Sequence, residues 1–269
     1  MGPLVARLAP GDAGRAYWPT NKRAEYGNWV GLRLLYLPGG LGIACLFLSL
    51  WFPLALIGAG LGLALGAFFA YVRYEFSPRG GDLQTRIRSL VVGRLNLPGG
   101  ARVLDVGCGN GPLVIAIAQR FPSADVTGVD LWGGGWGYSK AACEFNARIA
   151  GVSDKTSFQR ASASALPFPP GSFDAVVSNL VFHEVRSVSD KRLLLREALR
   201  VVKKGGTFAI QDLFRLERAY GDLRDLLEAV RSWGIENVEY VDTSESDFIP
   251  WPLKAPFIVG TMGLLCGKK

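Results

Sequence analysis

Residues 101–121 read ARVLDVGCGNGPLVIAIAQRF. The first seven, ARVLDVG, have the texture of a short apolar strand that carries Asp105 near its end. GCGNG then turns the chain, and PLVIAIAQRF (112–121) reads as a helix with Pro112 at its first position, where a missing N–H costs nothing. Glycines in such a turn let backbone pass close to a ligand, and the N-terminus of the following helix offers free N–H groups.

Reading outward, the same alternation continues. DVTGVD (125–130) is a second strand, ending in Asp130, which is placed to accept hydrogen bonds from a ribose diol. SKAACEFNARIAGV (139–152) is a helix closed by Gly151, and TSFQRASA (156–163) and FDAVVSNL (173–180) supply two more strands. DKRLLLREALRVVKKGG (190–206) reads as a helix with a basic last turn and terminal glycines as stop signals. GTFAIQDLF (206–214) is a fifth strand, LRDLLEAVRSWG (223–234) a helix, and NVEYVD (237–242) and FIVGTMGLLCG (257–267) the last two strands. Strands alternating with helices predict an α/β, doubly wound, mostly parallel seven-stranded sheet. The last two strands lack a helix between them and are expected to pair antiparallel at one edge. Ligands of such sheets bind beyond the carboxyl ends of the strands, at the switch point. NAD-binding folds use the same strand–glycine–helix–acid logic, usually as GxGxxG, whereas here the pattern is Gly107-x-Gly109-x-Gly111 preceded by Asp105.

Upstream the chain changes character. Hydrophobic residues make up 49% of the 269 residues, and they are concentrated. Residues 41–72, LGIACLFLSLWFPLALIGAGLGLALGAFFAYV, carry no charge, and none lies between Arg33 and Arg73. A membrane span needs about 20 residues at about 1.5 Å each. The run fits two spans joined near Pro53, or one span preceded by a shorter piece; Leu54–Val72 is the stronger half, and Pro38, Gly39 and Gly40 interrupt the start of the other. Both flanks are basic (Arg7, Arg15, Lys22, Arg23 and Arg33 before; Arg73, Arg79, Arg86 and Arg88 after), which favours a hairpin with both ends cytoplasmic. Trp51 and Phe52 at the turn suit the far interface. Gly58, Gly62 and Gly66 line one helix face and allow close packing, most simply against the first span, or between copies in a homo-oligomer. The implied organisation is a basic segment (1–31), a transmembrane hairpin (32–73), a linker and leading helix (74–96) and a catalytic domain (97–269). The formal charge of +7 comes largely from the membrane flanks, so anionic lipid is a simpler partner than nucleic acid. Cys45, Cys108, Cys143 and Cys266 form no CxxC pair or metal-spaced set, which implies neither a disulfide framework nor a bound metal.

Four motifs in order, VLDVGCGNG, VTGVD, LPFPPGSFDAVVSN and LREALRVVKKGGTFAI, resemble the class I S-adenosylmethionine-dependent methyltransferases over about residues 83–267. The resemblance implies a Rossmann-like methyltransferase sheet with S-adenosyl-L-methionine as cofactor. It implies that Asp105 and the turn Gly107–Cys108–Gly109 hold the amino-acid part, that Asp130 binds the ribose hydroxyls, that Leu131 flanks the adenine, that Ser162 and Ala163 lie at the adenine edge, and that Asn179 lies near the methionine end. Ser162 stands where many relatives carry an acid that receives the adenine amino group, and no (N/D)PP(Y/F) follows the fourth strand, unlike enzymes that methylate amide or nucleobase nitrogen. DLWGGGWGYS, with Trp132, Trp136 and Tyr138, reads either as an aromatic wall beside the cofactor or as a plain surface loop.

His183, the sole histidine, follows the fourth strand on the substrate-facing rim and is the candidate catalytic base; Asp212, at the end of the fifth, is a second rim candidate. The hairpin suggests a lipophilic acceptor met at the membrane surface, with Phe248, Trp251 and Phe257 shaping an apolar way in. Because every cofactor motif lies after Leu83 and the uncharged run ends at Val72, the hairpin is expected to serve access while the catalytic domain holds the cofactor by itself. A non-catalytic membrane scaffold and an NAD-dependent oxidoreductase are the competing classes.

Overall fold

Among the described residues, seven strands form one sheet in the order β3-β2-β1-β4-β5-β7-β6. They are β1 (Arg102–Val106), β2 (Asp125–Asp130), β3 (Thr156–Arg160), β4 (Phe173–Asn179), β5 (Val202–Asp212), β6 (Asn237–Val241) and β7 (Gly263–Lys268), in a computed structural model that describes residues 23–133, 137–235 and 237–269. β1 to β5 are parallel, and β7 inserts antiparallel between β5 and β6. The chain winds from β1 outward to β3, then returns to β4 on the other side of β1. That reversal opens a crevice beyond the carboxyl ends of β1 and β4.

Both faces of the sheet are covered, which is why its central strands are apolar without alternation. Val103, Val126, Ala175 and Val177 face α3 (Leu83–Gly93), α4 (Pro112–Arg120) and α5 (Lys140–Ile149). Leu104, Val129, Val176, Phe208 and Ile210 face α6 (Arg192–Arg200), α7 (Glu217–Tyr220) and α8 (Leu223–Ser232).

Two boundaries differ from the sequence expectation. The helix expected over 190–206 stops at Arg200, and Lys203–Gly206 belong to β5. Val202 pairs with Phe173, and the register then shifts before Thr207 pairs with Ala175. Gly205, at φ +79°, lies in this bulge, so the glycine pair kinks a strand and does not cap a helix. The strand expected from Phe257 begins only at Gly263. Residues 255–262 coil instead, with Ile258 N–H and Gly260 N–H both donating to the Ala255 carbonyl. A Cβ on Gly260 would lie 2.1 Å from the Lys254 carbonyl oxygen, so only glycine permits this turn.

Ahead of the sheet, α1 (Arg33–Leu48) and α2 (Ala55–Glu75) form a helical hairpin. The glycine face of α2 is buried against α1, as its spacing predicts. A Cβ on Gly62 would come within 2.7 Å of Gly42 Cα, one on Gly66 within 3.1 Å of Gly39 Cα, and one on Gly58 within 3.0 Å of Cys45 Sγ. The face is thus used within the chain. Among the described residues α2 is the one helix long and apolar enough to cross a membrane; α1, with 16 residues, is shorter. Leu37, Leu41, Leu61, Trp51 and Phe52 leave the outer surface of the hairpin apolar. Its two ends lie together, since Asn28 Nδ2 donates to the Arg73 carbonyl at 3.0 Å and the Arg73 guanidinium donates to the Val30 carbonyl.

The hairpin is fused to the sheet at its foot. Val72 and Phe76 share a third core with Val30, with Leu83 and Ile87 of α3, and with Ile249, Leu253, Val259 and Met262. The leading helix expected within 74–96 therefore packs into two cores, since Val91 and Val92 at its other end pack under the sheet.

Candidate active site

The glycine turn is ordered by its backbone. Gly107 N–H and Cys108 N–H both donate to the Val129 carbonyl, at 2.7 and 3.0 Å, which draws the end of β1 onto β2. Gly107 has φ +81°, and a Cβ there would meet Val181 Cγ1 at 2.2 Å. The close neighbour that demands glycine is thus the chain after β4. Gly109 N–H donates to Asp130 Oδ2 at 2.9 Å, and Trp132 N–H to Asp130 Oδ1 at 2.8 Å. Burial raises the Asp130 pKa, and these backbone donors oppose the rise. Trp132 Nε1–H donates to the Gly109 carbonyl at 2.8 Å, tying the aromatic segment to the turn.

A cavity of about 840 Å³ lies over this turn, lined by Asp105, Gly107, Cys108, Gly109, Asp130, Leu131, Asn179 and His183 among others. Seven of the nine cofactor residues expected from the sequence are therefore brought together. Ser162 and Ala163 are not among its lining; the Ser162 hydroxyl is engaged with Ser164 Oγ at 2.8 Å. Trp132 and Tyr138 line the cavity, so the loop is a wall at those two positions; Trp136 lies outside the described residues. Phe257 lines it too, whereas Phe248 lies beneath the Arg86 guanidinium and Trp251 points to solvent.

Two buried polar atoms in the lining, Asp105 Oδ2 and Asn179 Oδ1, have no hydrogen-bond partner among the described residues. Burial, reinforced by the Asp130 charge and opposed by Arg88, pushes the Asp105 pKa up to about 8. Arg88 lines the same cavity at 6% exposure. Its place in sequence puts it with the basic membrane flank, but in the structure its guanidinium turns inward, bonds Thr85 Oγ1 at 3.2 Å, and lies over the rings of Tyr26 and Trp29. Burial lowers its pKa to about 10, against the support of Asp82 and neighbouring acidic groups. A buried cation and an unpartnered buried carboxyl in one cavity suit a zwitterionic amino-acid group, with carboxylate toward Arg88 and ammonium toward Asp105. The residues present thus fit the cofactor that the motifs imply. Arg88, Tyr26 and Trp29 escape a motif search because they precede β1. Their one signal is Arg88 itself, a lone charge beside Ile87 and Val91 on the apolar stripe of α3.

His183 and Asp212, expected as separate candidates, form a pair. Asp212 is fully buried; its Oδ2 accepts from Val181 N–H and Phe182 N–H at 3.1 and 2.7 Å, and its Oδ1 lies 2.6 Å from His183 Nδ1. His183 Nε2 lies 3.4 Å from Glu184 Oε1. Burial alone would lower the His183 pKa, but Asp212 and then Glu184 outweigh it and push the value up to about 10. At neutral pH His183 is therefore a positioned cation with an Nε2–H donor, not a free base, and Asp212 positions it.

The lining continues past this polar region to Leu34 of α1, to Phe69, Val72 and Phe76 of α2, and to Ile258 and Val259. The hairpin and the cofactor cradle border one space, which the division of the sequence into an uncharged run and later motifs does not disclose.

The methyltransferase domain family matches residues 104–210, from the middle of β1 to near the end of β5. The match covers about two fifths of the chain, and over it residues 104–210 resemble a methyltransferase domain. The family's cofactor is S-adenosylmethionine, and related folds have been solved with it or its demethylated product. The chain is 34% identical over 166 residues to 27-O-demethylrifamycin SV methyltransferase of Amycolatopsis mediterranei, covering 61% of this chain and 57% of that one. It is 32% identical to demethylmenaquinone methyltransferase of Thermus thermophilus, covering 51% and 60%, and 35% identical to fatty-acid O-methyltransferase of Mycolicibacterium smegmatis, covering 42% and 37%. The chain thus spans at most about three fifths of these relatives' lengths. Geranyl diphosphate methyltransferase shares the fold at a TM-score of 0.51 and 20% identity, over 70% of this chain and 86% of that one. A [4+2]-cyclase, SpnF, shares it at 0.51 and 24%, over 69% and 80%, so the fold by itself does not fix the reaction.

Proposed function

We propose that this chain is a membrane-anchored S-adenosylmethionine-dependent methyltransferase acting on a small lipophilic acceptor, with its catalytic domain on the cytoplasmic face. The observation that carries the proposal is the unpartnered Asp105 Oδ2 in the same cavity as buried Arg88, over a glycine turn held to Asp130. A scaffold with no ligand would leave these buried groups without compensation. When bound, the cofactor supplies a methyl group on an already electrophilic sulfonium. Asp105, Arg88, Gly107, Cys108 and Gly109 hold the amino-acid part, Asp130 the ribose diol, and Leu131 the adenine, with Ser162 and Ala163 beyond its edge. Asn179 faces the methionine end. Tyr26, Trp29 and Tyr138 wall the cavity with aromatic surface, which limits water beside the cofactor. His183 orients the acceptor through its Nε2–H and steadies negative charge on the acceptor oxygen, while Asp212 fixes the imidazole's direction.

The anchor follows from the apolar hairpin with both ends on one side and basic residues on both flanks. Calorimetry on the full chain with S-adenosylmethionine and with NAD tests the cofactor: the first should bind and the second should not. Asp130→Ala should weaken S-adenosylmethionine by about 1.5–3 kcal/mol, the range for a hydrogen bond to a charged group. Binding of NAD alone, or an unchanged affinity in the variant, defeats the proposal.

A further inference from the structure

The cavity has two chemically different ends. One carries the glycine turn, Asp105 and His183; the other is walled by Leu34, Phe69, Val72, Phe76, Ile258 and Val259. Its volume of about 840 Å³ is near the top of the range of roughly 300–1,000 Å³ for pockets that hold one drug-sized ligand, which leaves room for a second body beside the cofactor. The apolar end is open at a definite place. Leu34 is 45% exposed and Phe257 74% exposed, yet both line the cavity. Leu34 is the second residue of α1, next to Arg33, so the opening lies where the hairpin leaves the domain. Between Arg33 and Arg73 no charged residue guards it.

We infer that the foot of the hairpin is a wall of the acceptor site. The hydrocarbon part of an amphiphilic acceptor lies against Phe69, Val72 and Val259 with its acidic oxygen, a phenol or a carboxyl, turned toward His183, and it enters sideways from the bilayer past Leu34 and Phe257. This rests on the proposed membrane anchoring and methyltransferase activity. It assigns the hairpin a part in binding that a simple tether would not have. The choice of an acidic oxygen follows from the polar end. Asp212 already accepts from three backbone N–H groups, those of Val181, Phe182 and Leu213, and from His183 Nδ1, which leaves Nε2–H, beside Glu184, as the donor offered to the cavity.

The test uses the full chain in phosphatidylcholine nanodiscs and two photoreactive probes, a 4-alkylphenol and a phosphatidylcholine, each with a diazirine near the chain end. Phe69 and Ile258 are half-buried on the cavity wall, whereas Leu41 and Leu61 are exposed on the outer face. The alkylphenol should mark Phe69 or Ile258, excess unlabelled 4-alkylphenol should abolish those adducts, and the phosphatidylcholine probe should mark outward residues such as Leu41 and Leu61 with no effect of that competitor. His183→Gln should raise the competing phenol concentration needed by roughly ten- to hundredfold, as loss of a charged hydrogen bond would. Adducts confined to the outer face, no adducts, or equal marking of Phe69 and Ile258 by the phospholipid probe overturns the inference. S-adenosylmethionine calorimetry on the same nanodiscs separates the failures: absent binding sinks the methyltransferase reading, whereas intact binding without cavity-wall adducts sinks only the acceptor chamber.

Discussion

Between pH 6 and 7, binding of S-adenosylmethionine should release nearly one proton, and Asp105 should be its source. The carboxyl is buried with Oδ2 unpartnered, and burial above all pushes its pKa up to about 8. A group titrating near 8 is about nine-tenths protonated or more in that window, and an α-amino group titrating at about 7.7–8.0 is still largely charged. An ammonium placed against Oδ2 favours the carboxylate, so complex formation drives the proton off. Affinity should then rise about tenfold per pH unit from 6 to 7. The free protein obeys the opposite sign. Because the folded pKa lies above the unfolded value of 3.8, the stability gained from protonated Asp105 is complete below about pH 4 and is lost as pH rises through about 8. At about 1.4 kcal/mol per pKa unit, ionised Asp105 costs on the order of 6 kcal/mol in the free protein. Asp105→Asn removes that cost and the ammonium's partner together. The variant should unfold at higher denaturant than wild type at pH 9, bind the cofactor roughly ten- to hundredfold more weakly, and show no proton release. Calorimetry at pH 6.5 in buffers of different ionisation enthalpy reads the release directly. A wild-type binding enthalpy independent of buffer, or undiminished affinity in Asp105→Asn, refutes the assignment.

Three further outcomes are expected. Gly107→Ala forces a side chain into a left-handed backbone and onto Val181, so it should cost at least about 1–3 kcal/mol in denaturant melts, and Val181→Ala in the same chain should restore part of the loss. Gly58→Cys places a thiol against Cys45, and mild oxidation should cross-link the two hairpin helices, detected by mass spectrometry after digestion; no cross-link would mean the helices do not pack on this face. His183 stabilises the fold through its cationic form, so its contribution is complete below about pH 6.5 and is lost as pH rises through about 10. Melts of His183→Gln should therefore fall below wild type at pH 7 and converge with it above pH 10.

The sheet was legible because its strands obey local rules: Asp105 and Asp130 end apolar strands, and Pro112 opens a helix where its missing N–H is harmless. The glycine face of α2 was legible for the same reason, since spacing of four on a helix fixes one side. What failed depended on tertiary partners. Gly205 and Gly206 carry the signature of a helix stop, but pairing of Val202 with Phe173 claims the segment for β5. FIVGTM has the β-branched texture of a strand, yet the approach of Gly260 to the Lys254 carbonyl bends it over the cavity. Arg88 and Tyr26 could not be assigned from motifs, because their place beside Asp105 arises only when residues before β1 fold back across the switch point. The pairing of His183 with Asp212 likewise joins the ends of two neighbouring strands that are 29 residues apart in sequence.

The most direct test of the central claim is transfer of labelled methyl from S-adenosylmethionine into a total membrane lipid extract by the full chain reconstituted in bilayers, with mass analysis of the product. The account predicts label in a lipid-soluble product bearing one added methyl on an oxygen, sharply reduced by Asp130→Ala. Tight cofactor binding with no label in any lipid-soluble species, or label found only in water-soluble products, would contradict it.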